Sequence, residues 1–335
     1  MSDPSAQEVG AALGRFVKTH PEFLITAHVD PDGDALGSCL ALALALEHFG
    51  KKVEVVVDSP VPAALRFLPH IGRVRRPEEV AGTYRAAFVL DSSSLDRVGG
   101  VAERCLAPGA AIAVIDHHWG NTGFGDPRYV NVEASATAEL VFDLIELLHA
   151  PLTPEIAECL YVGILSDTGG FRYANTSSRA LRVASRLVEQ GAPAPRVAEA
   201  LYATKSAPSL RILGLALASL EARSEGAIGA MTISRRMFEE AGATPEDADG
   251  IVQYAKSLVG AKVGVLIQEV APNEIRASLR SDGTVDVNEV ASRFGGGGHK
   301  NAAGLRVKGD LDQVKQQILE ALERAMNGGP PPSRG

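Results

Sequence analysis

The chain has 335 residues, a formal net charge of −8 and a hydrophobic fraction of 45%, with aromatic residues at only 5%. This length suffices for two domains with mainly aliphatic cores, and the negative charge argues against a bulk electrostatic grip on long nucleic acid. No apolar run approaches the ~20 residues that a membrane-spanning helix needs, and the first residues do not resemble a signal peptide. The scattered cysteines predict reduced, buried thiols in a cytoplasmic protein, at Cys39, Cys105 and Cys159.

The first half of the chain alternates strand-like runs with helical patterns. Its first two strands enclose the buried helical run GSCLALALALEHFG and so form a βαβ unit. Further strand-like runs follow, and then helical segments that end near residue 190. We therefore predict an α/β domain over residues 1–190, with a mainly parallel sheet covered by helices on both faces. The predicted strands are EFLITAH (22–28), KKVEVVVDS (51–59), YRAAFVLDSS (84–93) and AAIAVIDHH (110–118).

The second half predicts a smaller α/β domain over residues 211–326. A segment rich in Pro and Ala at 191–210 is the predicted linker between the two domains. Strand-like runs and helical patterns alternate after the linker, and a glycine-dense turn precedes the last strand and helix. The final segment, NGGPPPSRG (327–335), has the composition of a disordered tail.

Potential metal ligands stand where the apolar runs of the first domain end. Because the carboxyl ends of parallel strands line one crevice, we expect these side chains to converge although they lie far apart in the chain. A single Asp at a strand end is most often a helix cap or turn residue, and Asp30 and Asp34 could serve the turn that DPDGD makes. Several separate segments that all end in Asp or His are harder to explain by caps alone. The candidates are His28, Asp30, Asp32, Asp34, Asp91, Asp116, His117, His118 and Asp167.

A cluster of this composition points to divalent cations. So many carboxylates and imidazoles in one crevice cannot all ionise without a counter-charge, because like charges disfavour one another. A mixed set of His and Asp suits Mn²⁺, with Mg²⁺, Fe²⁺ or Co²⁺ as alternatives, and the lack of thiolate gives no special reason for Zn²⁺. The candidates outnumber the ligands that one ion needs. We therefore predict a two-metal site that activates water and holds phosphoryl oxygens during an in-line displacement.

The second domain carries a candidate anion-binding segment, FGGGGHKNAAG. Glycines let the backbone approach a ligand and aim N–H groups at an anion, although for glycines alone a flexible loop is the simpler explanation. The adjacent His299 and Lys300 favour a binding role. Upstream, RASLRS alternates as a strand, so Ser278 and Arg280 share a face, and Arg280 can bind a phosphate bidentately. The predicted substrate-binding residues are Ser278, Arg280, Gly296, Gly297, Gly298, His299 and Lys300.

The order of these motifs resembles that of a known family. HVDPDGDALGS, LDSSS, DHH and SDTGGFRYANTS, followed by GGGGHKNAAG, are similar to the motifs of the DHH–DHHA1 phosphoesterases, in particular of their nano-RNase/pAp phosphatase branch. The resemblance covers residues 15–325, which is nearly the whole chain, and it rests on two independent sets of motifs. We see no departure from the family pattern at these positions, so nothing indicates an inactive copy.

The resemblance implies a role for each candidate residue. Asp30 is not a ligand in the family pattern. Asp116 would orient the site through hydrogen bonds, and His118 would face the scissile phosphate as charge stabiliser or proton donor. The implied metal ligands are His28 and Asp32 for one Mn²⁺, Asp34, His117 and Asp167 for a second, and Asp91 as the bridge between them.

The resemblance also implies an activity. It predicts a Mn²⁺-dependent enzyme, with Mg²⁺ or Co²⁺ as possible substitutes, whose nucleophile is a hydroxide that bridges the two ions. Its substrates would be single-stranded RNAs of two to five nucleotides, hydrolysed to mononucleotides, and 3′-phosphoadenosine 5′-phosphate (pAp), hydrolysed to AMP. The second domain would grip the terminal phosphate and base. A homodimer is expected, and neither membrane association nor binding of long nucleic acid is expected.

Alternatives remain open at this stage. A phosphodiesterase for pApA or cyclic di-AMP could use the same scaffold. A family II inorganic pyrophosphatase shares HxxPDxD and DHH, but the GGGGH segment at 295–299 counts against it. A RecJ-like exonuclease normally carries DNA-binding domains for which this chain has no room. A non-catalytic nucleotide-binding module would have no need of the intact ligand set.

Overall fold

The computed structural model of the protein describes residues 6–326, apart from the side chains of residues 6, 7 and 299. The predicted tail at 327–335 lies outside the described residues. The chain divides into two compact units, with the boundary between Thr204 and Lys205. No helix of the described residues is both long enough and apolar enough to cross a membrane. The three cysteines are free and buried, as predicted.

The first unit is built on a five-stranded sheet in which all neighbouring strands are parallel. The order is β2-β1-β3-β4-β5, so the chain reverses its direction of travel across the sheet between β1 and β3. Such a reversal opens a crevice at the carboxyl ends of the strands, where ligands bind in open α/β sheets. The strands are β1 (Glu22–Thr26), β2 (Lys52–Val55), β3 (Tyr84–Leu90), β4 (Leu106–Asp116) and β5 (Arg128–Val130).

Helices cover both faces of this sheet, which confirms the predicted fold class. Successive strand residues point to opposite faces, so Phe88 joins the larger core while Val89 joins the smaller one. The larger core packs against α1, α2, α4, α5 and α6, whereas the smaller core is closed by the short α3 and neighbouring 3₁₀ turns. The helices are α1 (Ala6–Thr19), α2 (Gly33–His48), α3 (Val101–Cys105), α4 (Thr137–Leu147), α5 (Pro154–Asp167), α6 (Ser178–Glu189) and α7 (Ala194–Ala198).

Close packing of α2 against α5 depends on two glycines. A Cβ at Gly37 of α2 would collide with the carbonyl oxygen of Cys159 in α5. A Cβ at Gly163 of α5 would lie 2.8 Å from Oδ1 of Asp34 and 2.7 Å from Cβ of Ala138. Both separations are shorter than van der Waals contact allows. The two glycines therefore let α2, α4 and α5 converge around the carboxylate of Asp34.

The predicted linker at 191–210 is largely helical rather than irregular. It contains α7, a π-helical turn at Glu199–Ala203 and the start of α8 (Ala207–Ala218). Pro195 and Pro208 lie in the first turns of α7 and α8, where a helix does not need the missing N–H. The prolines of this segment therefore lie where helices begin.

The second unit contains a mixed six-stranded sheet of order β10-β11-β9-β8-β7-β6. Only β7 and β8 are parallel, and the other neighbours are antiparallel. One face packs against α11 and α12, and the other against α8, α9 and α10. The strands are β6 (Glu221–Arg223), β7 (Ile228–Ile233), β8 (Val263–Ala271), β9 (Glu274–Ser281), β10 (Gly297–His299) and β11 (Ala302–Lys308). The remaining helices are α9 (Arg235–Ala241), α10 (Val252–Lys256), α11 (Val287–Arg293) and α12 (Leu311–Met326).

The glycine-dense segment forms a short edge strand, β10, rather than only a turn. A Cβ at Gly296 would collide with the carbonyl oxygen of Gly304, and Gly298 has a positive φ of 149°. The close antiparallel pairing of β10 with β11 therefore requires glycine at both positions. Part of the glycine signal in the sequence thus has a structural cause.

Candidate metal centre

The candidate ligands of the first unit gather at the carboxyl edge of its sheet. His28 follows β1, Asp91 follows β3, and Asp116 ends β4 directly before His117 and His118. Asp32 and Asp34 stand at the start of α2, and Asp167 is the last residue of α5. The parallel order of the strands brings these segments together, although they are far apart in the sequence.

Six of these side chains form two groups of three that could each hold a metal ion. One group is His28, Asp32 and Asp91, and the other is Asp34, His117 and Asp167. Within each group one ligand atom per residue lies within 4.8 Å of the others. Asp91 also groups with His117 and His118 by the same criterion. These are the groupings that the family resemblance implied for two metal ions.

Asp91 lies between the two groups. Its Oδ2 is 3.5 Å from Nε2 of His28, while its Oδ1 is 3.6 Å from Nε2 of His117. Its carboxylate is almost fully buried and accepts a hydrogen bond from the hydroxyl of Thr137 at 2.9 Å. The backbone of Asp91 is left-handed, with φ of 53°, a conformation that Asp tolerates better than most residues. One oxygen therefore faces each group, as a bridging ligand requires.

Backbone carbonyls orient both histidines of the two groups. Nδ1 of His28 is 2.8 Å from the carbonyl oxygen of Val29, and Nδ1 of His117 is 3.2 Å from that of Ala134. A carbonyl can only accept, so the proton of the neutral ring lies on Nδ1 and the lone pair on Nε2. In each case Nε2 is the atom that faces the carboxylates. This is the arrangement in which imidazole usually binds metals.

The two aspartates of α2 are fixed by backbone N–H groups. Asp32 caps α2 by accepting from the N–H groups of Asp34 and Ala35, both at 3.0 Å. Asp34 is fully buried and accepts from the first two N–H groups of α4, at 2.6 Å from Thr137 and 2.9 Å from Ala138. A helix N-terminus favours a negative charge, so α4 holds this carboxylate in place. Both backbone N–H groups donate to Oδ1 of Asp32, so this capping does not involve its Oδ2.

His118 and Asp116 form a separate pair beside the two groups. Nδ1 of His118 lies 2.7 Å from Oδ1 of Asp116, and Nδ2 of Asn121 donates to Oδ2 of the same carboxylate at 2.7 Å. Burial lowers the pKa of His118, but the hydrogen bond with Asp116 and the charge of Asp91 outweigh it and raise the pKa overall. A histidine held in this way is suited to donate a proton or to stabilise negative charge.

The acidic residues of the groups perturb one another. Desolvation of the carboxylate, together with the charges of Asp167 and Asp91, raises the pKa of Asp32 to about 6, although the residue as a whole is exposed to solvent. Burial and the same two neighbours raise the pKa of Asp34 well above its ordinary value. Burial alone would also raise the pKa of Asp91, but its hydrogen bond to His28 and the charge of His117 hold that pKa below its ordinary value.

The neighbouring carboxylates raise the pKa of both histidines. Burial lowers the pKa of His28, but its hydrogen bond with Asp91 and the charges of Asp91 and Asp32 outweigh burial and raise the pKa to about 9. For His117, the hydrogen bond with Asp167 and the charge of Asp34 outweigh burial and raise the pKa to about 11. The site therefore gathers positive charge in the form of protons. Oxygen and imidazole donors without thiolate fit divalent ions of the Mg²⁺ and Mn²⁺ type.

Two residues that contribute to this site, Thr137 and Asn121, were not among those predicted from the sequence. Thr137 donates to Asp91 from 46 positions further along the chain, so no local spacing could reveal the pair. Asn121 lies close to the DHH motif, and a conformational argument about the turn after β4 could have found it. Asp30 joins none of the three groups among the described residues; its backbone N–H donates to Oγ of Ser59 at 2.8 Å.

The predicted substrate-binding residues lie in the second unit. Ser278 and Arg280 share one face of β9, and both are partly buried. Nη1 of Arg280 donates to the carbonyl oxygen of Leu279 at 2.9 Å. His299 pairs in register with Ala302, and Ala302 pairs with Arg280, so these backbone positions form one row across the sheet. Lys300 follows β10 and is exposed.

A parallel sheet that gathers Asp and His at its carboxyl edge, followed by a mixed-sheet unit, defines a DHH–DHHA1 protein. Residues 22–164 match the family model of the DHH family, N-terminal domain, and residues 227–328 match that of the DHHA1 domain. A relative 37% identical over 90% of this chain supports the same assignment. The chain belongs to the DHH family, which confirms the resemblance seen in its motifs.

Several characterised relatives carry one and the same name. The Thermus thermophilus relative is a bifunctional oligoribonuclease and PAP phosphatase NrnA, and the match covers 89% of its length. The Bacillus subtilis protein of the same name is 28% identical over 88% of this chain and 92% of its own. A cyclic-di-AMP phosphodiesterase GdpP from Geobacillus thermodenitrificans is 27% identical over 97% of this chain, but only 51% of that protein is covered.

Solved structures confirm the fold. An exopolyphosphatase-related protein from Bacteroides fragilis superimposes with a TM-score of 0.90 at 26% identity, covering 98% of this chain and 99% of the other. Exonuclease RecJ bound to manganese gives a TM-score of 0.54 at 18% identity, covering 95% of this chain and 94% of the other. The similarity to RecJ at this identity concerns the fold alone.

Proposed function

We propose that the protein is a phosphoesterase that hydrolyses short RNA oligonucleotides to mononucleotides and pAp to AMP. The observation that carries this proposal is the pair of three-ligand groups that share Asp91, in a chain 37% identical to a bifunctional oligoribonuclease and PAP phosphatase. Both reactions break a phosphorus–oxygen bond at the 3′ side of a nucleoside. One site can therefore serve both.

We propose that His28, Asp32 and Asp91 hold one divalent ion, and that Asp34, His117 and Asp167 hold the other, with Asp91 shared. Two bound ions would lower the pKa of a water molecule and neutralise the charge of the phosphoryl oxygens. Mn²⁺ is the ion that we expect, because it accepts imidazole together with carboxylate more readily than Mg²⁺ does. The carbonyls that hold Nδ1 of both histidines keep their Nε2 atoms aimed at the ions.

His118 would act on the substrate rather than on a metal ion. Asp116 holds Nδ1 of His118 at 2.7 Å and supports its protonated form. A protonated His118 can stabilise the extra negative charge on phosphorus and donate a proton to the leaving 3′ oxygen. Asn121 occupies the second oxygen of Asp116, so the carboxylate cannot rotate away.

The second unit would bind the 5′ end of the substrate. Arg280 offers a bidentate donor set for a terminal phosphate, and Ser278 lies two positions away on the same face of β9. Gly296, Gly297 and Gly298 let the backbone of β10 come close to a ligand, and Lys300 adds a positive charge. The predicted role of the His299 side chain falls outside the described residues.

Further proposals concern the cellular setting. The three free, buried cysteines fit a reducing compartment such as the cytoplasm. The net charge of −8 fits a short substrate bound in a small basic pocket better than a long nucleic acid bound on a basic face. We also propose a homodimer, and sedimentation equilibrium of the purified chain would test it.

A second candidate activity is the hydrolysis of cyclic di-AMP or pApA. The match to GdpP, which spans 97% of this chain, supports this second activity. Family II pyrophosphatase and RecJ-like activities have weaker support, because GGGGH departs from the former and only the fold links the chain to the latter.

A hydrolysis panel in the presence of Mn²⁺ tests the proposal. The panel compares 5′-labelled RNAs of two to five nucleotides, a long RNA, pAp, cyclic di-AMP and pyrophosphate. We expect kcat/KM to be highest for the short RNAs, with turnover of pAp and little turnover of the long RNA. Faster hydrolysis of cyclic di-AMP or pyrophosphate than of every short RNA and pAp would contradict the proposed function.

A further inference from the structure

Trp119, the only tryptophan of the chain, directly follows His118. Its side chain is 83% exposed, although an indole ring gains much from burial. Among the large apolar residues that the structure describes, only Val259 is more exposed. Single apolar residues on a surface are common, so exposure alone says little. Trp119 differs from such residues because it directly follows a histidine of the candidate metal centre.

Trp119 stands at the tip of a tight turn whose two ends are tethered to Asp116. The backbone N–H of Asn121 donates to the carbonyl of His118 at 3.3 Å, which places Trp119 at the first corner of the turn. At one end, His118 lies 2.7 Å from Asp116; at the other, Asn121 donates to the same carboxylate at 2.7 Å. The N–H of Thr122 is bound to the loop after β3 at 2.8 Å. The indole is therefore carried by an anchored turn rather than by a loose loop.

An exposed indole on such a turn has the chemistry of a base-stacking surface. Nucleobases of single strands stack on aromatic side chains, and tryptophan offers the largest ring for this contact. Consecutive Cα atoms lie 3.8 Å apart, so Trp119 is adjacent to the histidine that would address the scissile phosphate. A base joined to that phosphate through one sugar is the nearest aromatic partner that a nucleotide substrate can supply.

We propose that Trp119 stacks on the base of the nucleoside on the 3′ side of the scissile phosphate. This inference rests on the proposed function, because it assumes a nucleotide substrate. The nucleoside on the 5′ side carries the terminal phosphate that we assign to Arg280 of the second unit. The base on the 3′ side has no other assigned contact, and Trp119 is the aromatic residue that follows the catalytic motif.

Two substrates separate this role from a structural one. The dinucleotide pApA is pAp extended by one adenosine, and that adenosine is the nucleoside on the 3′ side. We expect Trp119→Ala to lower kcat/KM for pApA about ten-fold or more, mainly through KM, while kcat/KM for pAp stays within about two-fold. Trp119→Phe should retain most of the activity on pApA, because a smaller ring still stacks. Tyr254→Ala, which removes another exposed aromatic side chain, should change neither substrate.

Because Trp119 is the only tryptophan of the chain, tryptophan fluorescence reports on the contacts of its side chain. In an Asp91→Asn background at a Mn²⁺ concentration that saturates its weakened metal sites, where we expect substrate binding without turnover, pApA should quench the tryptophan fluorescence and pAp should leave it nearly unchanged. Equal losses of kcat/KM for the two substrates, no loss for either, or quenching by pAp as strong as by pApA would overturn the inference. A failure of the proposed function is seen separately, because the hydrolysis panel measures it with the wild-type protein alone and does not depend on any Trp119 variant.

Discussion

Nδ1 of His118 lies 2.7 Å from Oδ1 of Asp116, at a carboxylate that is fully buried. The pair resembles a general acid with a carboxylate that sets its tautomer and orientation, and Nδ1 of His118 also lies 3.7 Å from Oδ1 of Asp91. Asp116 belongs neither to the three-ligand group that contains Asp91 nor to the one that contains Asp34. The two histidines of the DHH motif therefore differ. His117 belongs to the group with Asp34 and Asp167, whereas His118 belongs to neither of the two three-ligand groups.

Replacing Asp116 with Asn should separate proton donation by His118 from metal binding. The loss of the charge that raises the pKa of His118 lowers that pKa, so less of the imidazole is protonated at neutral pH. We expect kcat to fall about 10²- to 10⁴-fold, with the alkaline limb of the kcat profile displaced to lower pH. Metal content, measured by mass spectrometry of the metal, should stay near that of the wild type. A large loss of metal would instead place Asp116 among the ligands.

Asp91 is the residue whose loss should be most damaging, because its two carboxylate oxygens each lie near a histidine of a different group. Asp91→Asn keeps the shape but removes the charge, and we expect turnover of a diribonucleotide to become undetectable together with weaker binding of both metal ions. Asp30→Asn is the matched control, since Asp30 lies outside the described groups and Asn also tolerates its left-handed backbone, with φ of 55°. Circular dichroism checks that both variants fold, and near-wild-type hydrolysis by Asp91→Asn would refute the bridge.

Metal binding should release protons and weaken as the pH falls. His28 and His117, with pKa values of about 9 and about 11, are protonated at pH 7 in the metal-free protein, and each must lose its proton to bind through Nε2. Lowering the pH through 9 and then through the pKa of Asp32, about 6, therefore makes competition by protons stronger. Calorimetric titration with Mn²⁺ in two buffers of different ionisation enthalpy measures the protons released. A value of zero at pH 7 would contradict this account.

Arg280 should contribute to substrate capture rather than to the chemical step. Removing a charge-assisted contact with a terminal phosphate should raise KM about ten- to a hundred-fold with little change in kcat. Arg306→Ala is a suitable control, because it removes the same charge from the neighbouring strand β11, where Arg306 pairs with Glu274 at 3.2 Å. If Arg280→Ala lowered kcat and left KM unchanged, the capture role would be wrong.

Gly163 couples the packing of α5 to the metal centre. Gly163→Ala places a methyl group 2.8 Å from Oδ1 of Asp34, and we expect it to destabilise the fold by about 1–3 kcal/mol and to weaken metal binding. Gly214→Ala is a control on α8, where the added methyl group meets nothing within 4 Å. That control should be neutral or slightly stabilising, because Ala favours a helix more than Gly does. Thermal unfolding with and without Mn²⁺ compares the two variants.

The sequence was most informative where local pattern and tertiary structure agree. The strands that precede His28 and Asp91, and the strand that ends in Asp116, could be predicted, because a buried parallel strand is a short continuous apolar run. The three strands of three residues, β5, β6 and β10, gave no such run. The pattern of the first twenty residues did not predict helix α1 either.

The residues that form the site could be predicted more readily than the contacts between them. No spacing in the sequence indicates that the first turn of α4 binds Asp34, or that Thr137 donates to Asp91, because the partners are 103 and 46 positions apart. The family resemblance supplied the division into two groups, which the residue types alone left undetermined. In the second unit the glycines at 296 and 298 suggested a ligand loop, but strand pairing also requires them.

The candidate ligands come from segments dispersed between residues 28 and 167, and only the folded sheet assembles them. An unfolded chain offers no such site, so the ions act as a ligand of the native state alone. Each ten-fold rise in free metal above its dissociation constant should add about 1.4 kcal/mol per bound ion to the free energy of unfolding of the first unit. Metal starvation would then reduce the amount of intact protein as well as its turnover, so a cell short of the ion would lose the enzyme partly by proteolysis.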